Sequence, residues 1–216
     1  MRVENEAGIK GKVLEKEVLE NHKRYLERKK LYARYGFDID KERRSVLAKA
    51  EPVFGDVLEI GTGKGHFALV LAGEGYKFTS VDIAEEEQKI ARLNLRYAGL
   101  EDYVYFRVEN AEKMSFNDKS FDTIFSINTV HHLKKPFKVM DEISRVLTLD
   151  GKIVLSDFTD AGFGVLDKIH ASEGRAHSKA GVELDDISRY FAGKGFSTEE
   201  SRSKFQRILI AYRQVV

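Results

Sequence analysis

Apolar positions along this chain follow two rhythms. Over residues 12–34, Val13, Leu14, Val18, Tyr25, Leu26, Leu31 and Tyr32 form an imperfect stripe at helical spacing between charged positions, and Gly36 ends it. A second helix is expected over 41–50, closing before Pro52. From Asp56 the rhythm changes to short apolar runs at 57–60, 78–81, 104–107, 121–127 and 152–157, which read as buried strands. Helical stretches at 66–72, 85–97, 136–147 and 184–192 alternate with them. Their ends are marked by acids at Glu85, Pro136 at a first turn, and Gly73, Gly99 and Gly193.

The tail breaks this alternation. Runs at 196–201 and 208–213 flank a polar connection too short for a crossover helix, and parallel neighbours need a dozen or more connecting residues. These two strands are therefore expected to be antiparallel. The pattern predicts an α/β protein with a seven-stranded, mostly parallel sheet, helices on both faces, an antiparallel C-terminal strand and N-terminal helices. Residues 1–50 are expected to act as a helical arm or lid on a ligand-binding domain over 51–216, the two forming one structural unit. Residues 158–183 carry Gly162, Gly164, Gly174 and Gly181 among Phe158, Phe163, His170, Arg175 and His177. They read as an irregular connection that either roofs a substrate site with the arm or is a plain surface excursion.

Composition narrows the function classes. With 36 Lys+Arg against 35 Asp+Glu, the chain as a whole lacks the basic footprint of a nucleic-acid binder. Charge is uneven, however: residues 1–50 carry a net +5 and residues 51–216 a net −4. The basic arm is either a solvated helix surface or a steering patch for an anionic substrate. The absence of cysteine excludes disulfides, thiolate metal sites and cysteine nucleophiles. The first residues do not read as a signal peptide, and no apolar run approaches the ~18 residues of a membrane span, so a cytoplasmic location and no membrane partner are expected.

The strongest local motif is Glu59-Ile60-Gly61-Thr62-Gly63-Lys64-Gly65, between a strand and a helix. Three glycines let the backbone turn sharply and approach a ligand with no Cβ in the way. Asp82 follows at the tip of the next strand, where an acid can take both hydroxyls of a ribose; it could equally cap the helix at Glu85. A dinucleotide fingerprint needs glycine in the sixth place, which is His66 here. The glycine pattern points instead to a different ligand containing an adenosine.

Five segments in order carry a resemblance to a known family. Val57-Leu58-Glu59-Ile60-Gly61-Thr62-Gly63-Lys64-Gly65, Val81-Asp82-Ile83, Asn110 to Phe116, Phe121 to Ile127 followed by His131-His132-Leu133, and Glu142 to Gly151 resemble the motifs of class I S-adenosylmethionine-dependent methyltransferases. Within that class the chain is similar to the group related to the ubiquinone and menaquinone biosynthesis methyltransferases. The resemblance is clear over about residues 40–160 and in outline over the C-terminal hairpin. It implies a Rossmann-like fold, S-adenosyl-L-methionine as cofactor and S-adenosyl-L-homocysteine as product. It also implies a cofactor site of Glu59, Gly61, Thr62, Gly63, Gly65, Asp82, Ile83, Asn110, Ala111 and Ser126. Asn110 stands where the family usually has Asp, and Leu149-Asp150-Gly151 keeps only the last glycine of the usual turn.

Methyl transfer from a sulfonium is an in-line displacement with a neutral leaving group. Positioning and water exclusion are its main demands, with a base only if the nucleophile must lose a proton. Candidate bases at the strand tips are His131, His132 and Asp157, with His170 and His177 beyond them. No metal-ligand spacing is evident, and no metal is expected. A small-molecule acceptor is the leading expectation. The alternatives are an RNA or protein methyltransferase, with Arg24, Arg28, Lys29, Lys30 and Arg34 tracking an anionic polymer, and a non-catalytic S-adenosylmethionine-binding regulator. The sequence leaves the oligomeric state open.

Overall fold

The computed structural model describes residues 15–174 and 181–213. Two helices, α1 (Lys16–Ala33) and α2 (Ile39–Ala50), lead into β1 (Val57–Ile60), α3 (His66–Gly73), β2 (Phe78–Asp82), α4 (Glu85–Ala98), β3 (Val104–Val108), β4 (Phe121–Ile127), α5 (Pro136–Val146), β5 (Leu147–Phe158), α6 (Asp160–Ser172), α7 (Leu184–Gly193), β6 (Phe196–Arg202) and β7 (Gln206–Arg213). The sheet order is β3-β2-β1-β4-β5-β7-β6. All pairings through β5 are parallel, and β7 runs antiparallel to both of its neighbours. The strand order reverses between β1 and β4, the place where open α/β sheets leave a crevice at their carboxyl ends.

Strand residues alternate between two cores. Leu58, Ile60, Ile124, Ile153, Leu155 and Leu209 face α5 and α7, while Val57, Phe125, Ile127, Val154, Ile208 and Ile210 face α2, α3 and α4. Helices thus cover both faces, and the seven-stranded, Rossmann-like architecture expected from the sequence is what forms. β4 and β5 are wholly buried along most of their length because they lie mid-sheet with helices on each side.

Two stretches differ from the sequence reading. Strand β5 begins at Leu147 rather than 152, with a register shift opposite Phe121 and Thr123 that absorbs the Asp150-Gly151 bend. The stretch 158–183 is not irregular throughout. Its first half is α6, whose N-cap Thr159 accepts a hydrogen bond from the Gly162 N–H. Val165, Leu166 and Ile169 of α6 pack with Tyr32, Phe37, Phe158 and Phe205 into a third cluster, which ties α1 to the sheet edge above β5 and β7. Arg175 and His177 lie outside the described residues, as do residues 12–14 of the expected first helix.

Gly65 shows how close the packing around the first turn is. It sits at φ +76, and a Cβ there would lie 2.8 Å from the Ala91 Cβ and 3.1 Å from its Cα. Replacement by alanine forces α4 off α3 and adds left-handed strain. Gly65→Ala is expected to cost on the order of 2–4 kcal/mol, read as a lowered Tm. An unchanged Tm would mean that α4 can yield at no cost.

Candidate active site

A cavity of about 500 Å³ opens at the carboxyl ends of β1, β2 and β4. The turn after β1 forms its floor. Gly61 and Thr62 both donate backbone N–H bonds to the Val81 carbonyl, at 2.8 and 3.2 Å, so the loop is stitched to the tip of β2. Gly61 is at φ +86, and any Cβ on it would collide with Thr129 from the β4 tip. Gly63 faces open space, and its N–H donates to Asp82 Oδ2 at 2.8 Å. The other Asp82 oxygen accepts the Ala84 N–H at 2.8 Å. Asp82 therefore does not cap α4, whose N-cap is Ala84 without a side-chain cap. A carboxylate has about four lone-pair sites, so two remain for hydroxyls of a ligand.

Beneath the loop lies a directed chain of hydrogen bonds. Gln88 Nε2 donates to Thr62 Oγ1 at 3.1 Å, the Thr62 and Ser80 hydroxyls are 2.6 Å apart, and Ser80 donates to Glu59 Oε2 at 2.6 Å. Gln88 also donates to the Ser80 and Arg107 carbonyls, clamping β2 to β3. Glu59 is almost wholly buried, and burial pushes its carboxyl up to about 8 against the opposing Ser80 bond and the Arg43 charge. The acid is thus held well above the ordinary carboxylate range, toward its neutral form.

This has a thermodynamic consequence. A carboxyl raised in the folded state contributes stability below its unfolded value, near 4.5, and loses it as pH climbs through about 8. Glu59→Gln removes that loss. The variant is expected to gain stability relative to the parent by on the order of a few kcal/mol between pH 5 and pH 9. Denaturant melts at several pH values read this directly, and a pH-independent difference would mean that Glu59 titrates normally.

Asn110 and Ala111 line the far flank of the cavity with Glu109 and Glu112, and Ile83 lines it while largely exposed. The Asn110 side-chain oxygen accepts the Glu112 N–H at 2.9 Å, which fixes the turn. Two sequence-predicted residues do not line the cavity. Gly65 packs against Ala91, as described, and Ser126 is fully buried inside β4 with no hydrogen-bond partner for its hydroxyl among the described residues.

The three candidate bases are divided. His132 is exposed and lines the main cavity. His131 is buried, its N–H donating to Asp157 Oδ2 at 2.9 Å and its Nδ1 2.6 Å from Oδ1. This pair lines a separate cavity of about 210 Å³ beside Thr159, Phe163 and Arg207. The structure joins Asp157 to His131 and leaves His132 facing the cofactor loop. His170 lies on α6, away from both cavities.

Of the N-terminal helices, α2 reaches the cavity through Arg43, and α1 packs outside it against α4 and His66. Asn21 of α1 donates to Asn94 of α4 at 2.7 Å, the His22 and Tyr97 rings stack at 3.4 Å, and Tyr25 stacks on His66 at 5.4 Å. His66 also lines the main cavity; burial and the nearby Arg43 and Arg28 push its imidazole down to about 3, so it is neutral. Part of the basic arm is neutralised in place, since Arg28 pairs with Glu173 at 2.9 Å and Lys29 pairs with Asp40.

Several cavity residues were missed in the sequence, and Arg43 is the charged one that the helical pattern could have shown. Arg43 of α2 is buried and lines the cavity. Its signal was available: Ile39, Arg43, Val46, Leu47 and Ala50 share one helical face, so the arginine interrupts the apolar stripe.

Comparison with known proteins agrees with this geometry. Residues 58–155 match a family described as a methyltransferase domain. The chain is 30% identical over 165 residues to the ubiquinone biosynthesis O-methyltransferase of Xanthomonas axonopodis, covering 72% of this chain and 68% of that protein. It is 27% identical over 155 residues to the 27-O-demethylrifamycin SV methyltransferase of Amycolatopsis mediterranei, covering 62% of this chain and 57% of the other. It spans about half the length of several curated relatives that it matches. The crystal structure of a SAM-dependent methyltransferase from Aquifex aeolicus superposes with a TM-score of 0.61 at 21% identity, over 78% of this chain and 88% of that one, which speaks to the fold. No helix among the described residues is long and apolar enough to cross a membrane. The chain belongs to the class I S-adenosylmethionine-dependent methyltransferases, a family of enzymes whose methyl donor is S-adenosyl-L-methionine.

Proposed function

We propose that this chain transfers a methyl group from S-adenosyl-L-methionine to a small-molecule acceptor. The observation that carries the reading is the cavity itself. It places a Cβ-free loop, an acid with spare acceptor capacity at the β2 tip and the Asn110-Ala111 turn along one continuous wall. These residues fit the donor's parts. Gly63 leaves room for close backbone approach, Asp82 would take the ribose hydroxyls, and Asn110 and Ala111 would flank the adenine. Glu59 adds an independent fit, because a buried carboxyl whose charged form burial disfavours gains from a ligand that brings a cation.

When bound, the cofactor supplies an electrophilic methyl on a sulfonium. The chain's own residues position and enclose. Thr129 and Gly61 bring the β4 tip against the loop, α2 adds Arg43 to the lining, α1 backs His66 through Tyr25, and His132 faces the space in which an acceptor proton would be taken up. His131, held by Asp157, fixes the turn that presents His132. The names of the relatives, both acting on small molecules, support a small-molecule acceptor over a polymer, as does the pairing of Arg28 and Lys29 with acids of the chain.

Calorimetric titration with S-adenosylhomocysteine, S-adenosylmethionine and NAD tests the binding half. The first two are expected to bind at one site and NAD not to bind; binding of NAD alone would overturn the reading. Donor consumption with small-molecule extract and with total RNA, assayed separately, tests the acceptor class, and turnover confined to RNA would move the chain to the polymer-modifying group.

A further inference from the structure

Arg43 hangs on a relay of side chains that runs to the start of β7. The Asn128 amide is oriented with its oxygen toward the guanidinium, 2.8 Å from Nη1 and 2.7 Å from Nη2. That oxygen also accepts from Gln206 Nε2 at 3.2 Å, and the Asn128 nitrogen donates to Gln206 Oε1 at 2.7 Å, so the two amides are paired. Ser156 Oγ donates to Gln206 Oε1 at 2.6 Å. Gln206 and Ser156 are almost wholly buried and do not line the main cavity, whereas Arg43 and Asn128 do. The neighbouring Glu42 is fastened to the same hairpin. Ser203, between β6 and β7, donates to Glu42 Oε2 at 3.0 Å and accepts the Gln206 N–H at 3.0 Å. The polarity of the relay is forced from one end. A guanidinium only donates, so Asn128 must turn its oxygen to Arg43 and its nitrogen to Gln206, and Gln206 must answer with its own oxygen. Asn128 meets this demand at φ +55, a left-handed conformation uncommon outside glycine.

We propose that Gln206, which stands outside the cavity, is a positioning residue for the methyl donor: acting through Asn128, it sets Arg43 to meet the carboxylate of the donor's amino acid head. The inference deepens the methyl-transfer reading and rests on it. That head carries a carboxylate and an ammonium, and the cavity offers a buried cation, Arg43, and a buried acid, Glu59. An oxygen nearly equidistant from Nη1 and Nη2 takes the inner N–H of each. The Nε–H and the outer N–H groups have no protein partner among the described residues, which leaves an edge of the fork for paired N–H···O bonds to a carboxylate. Such bonds need the planar fork held at a fixed angle, and a long flexible side chain does not supply that by itself. Burial pulls the guanidinium down to about 10, so it is charged at neutral pH, and the amide pair seats it without cancelling its charge. An apolar side chain at 206 strips the Asn128 nitrogen of its acceptor and favours rotation of the amide away from Arg43.

The test is calorimetry on the full chain with S-adenosylhomocysteine and with 5′-methylthioadenosine, which keeps the adenosine and the sulfur but lacks the amino acid head. Gln206→Met, close to the parent in volume, should weaken S-adenosylhomocysteine by roughly tenfold to a hundredfold and leave 5′-methylthioadenosine within about twofold. A residue that only braces the fold would not separate the two ligands. Arg43→Met should show the same selectivity, and adding Gln206→Met to it should cost less than about threefold more, since both act through one guanidinium. Asn128→Asp breaks the amide pair from the other side and gives Arg43 an internal carboxylate. It should produce the same selective loss, and it covers the case in which Gln206→Met does not fold. Unchanged S-adenosylhomocysteine affinity in the folded variants, equal losses for the two ligands, or fully additive losses in the double variant overturn the proposal. Failure of the parent to bind either ligand would instead sink the methyltransferase reading.

Discussion

Asp82→Ala is expected to lower the affinity for S-adenosylhomocysteine by on the order of 2–4 kcal/mol, roughly 30- to 1000-fold. Two effects add in the same direction. The carboxylate has unused acceptor sites directed into the cavity, and charge-assisted bonds to a pair of hydroxyls are each worth about 1.5–3 kcal/mol. The same carboxylate holds the Gly63 and Ala84 N–H groups, so alanine also loosens the loop that the ligand lies against. Asp82→Asn separates the two. The amide keeps an acceptor for one backbone N–H but loses the charge, so affinity should fall while Tm moves little. An alanine variant whose affinity stays within twofold of the parent would leave Asp82 as a loop brace alone.

How much of this site could be read from the chain depends on whether a residue's role is local. Gly61, Gly63 and Asp82 were legible because strand, turn and strand tip follow one another in sequence, and the parallel register of β1 against β2 puts Asp82 beside the loop. Gly65 was legible as a required glycine but not for its reason, which is the approach of Ala91 from a helix some two dozen residues later. Ser126 reads as a strand-tip residue in sequence. In the folded sheet it falls one position short of the tip, and Ile127, Asn128 and Thr129 reach the cavity instead.

The misreading of α6 has a definite physical origin. Gly162 and Gly164 lower helix propensity, and they masked the i, i+3, i+4, i+7 spacing of Gly162, Val165, Leu166 and Ile169, which are the buried positions of the helix. Gly162 is required by tertiary packing, since a Cβ there would run into the Phe205 carbonyl. Arg43 and Gln88 were missed for the opposite reason. Each is a polar residue on an amphipathic helix and reads as surface, yet one sits on the apolar stripe and the other donates to three partners beneath the loop. A polar residue in register with the buried face is the signal to look for.

Removal of residues 1–35 is the second change with a large expected effect. This deletion takes away α1, whose Val18 is fully buried, whose Asn21 bonds to Asn94, and whose Tyr25 lies on His66 at the cavity edge. It also removes Tyr32 from the cluster that joins α6 to the sheet. Asn21 acts on the loop through Asn94, which also donates to the Lys64 carbonyl, and no α1 residue lines the cavity that holds Asp82, so the donor site is expected to persist, with S-adenosylhomocysteine binding weakened by roughly tenfold or less. Enclosure is what is lost. His66 and Lys64, which α1 backs from outside the cavity, would face water. A displacement whose rate depends on alignment and water exclusion then loses most of its advantage, and turnover should fall by at least about a hundredfold, more than donor binding does. A titration and a single-turnover assay on the same truncated preparation give both numbers. If turnover falls only as far as donor affinity falls, α1 serves the stability of α4 and not the reaction. The closing wall must then be sought in α2 and α6, the two elements that remain beside Arg43 and the His131–Asp157 pair.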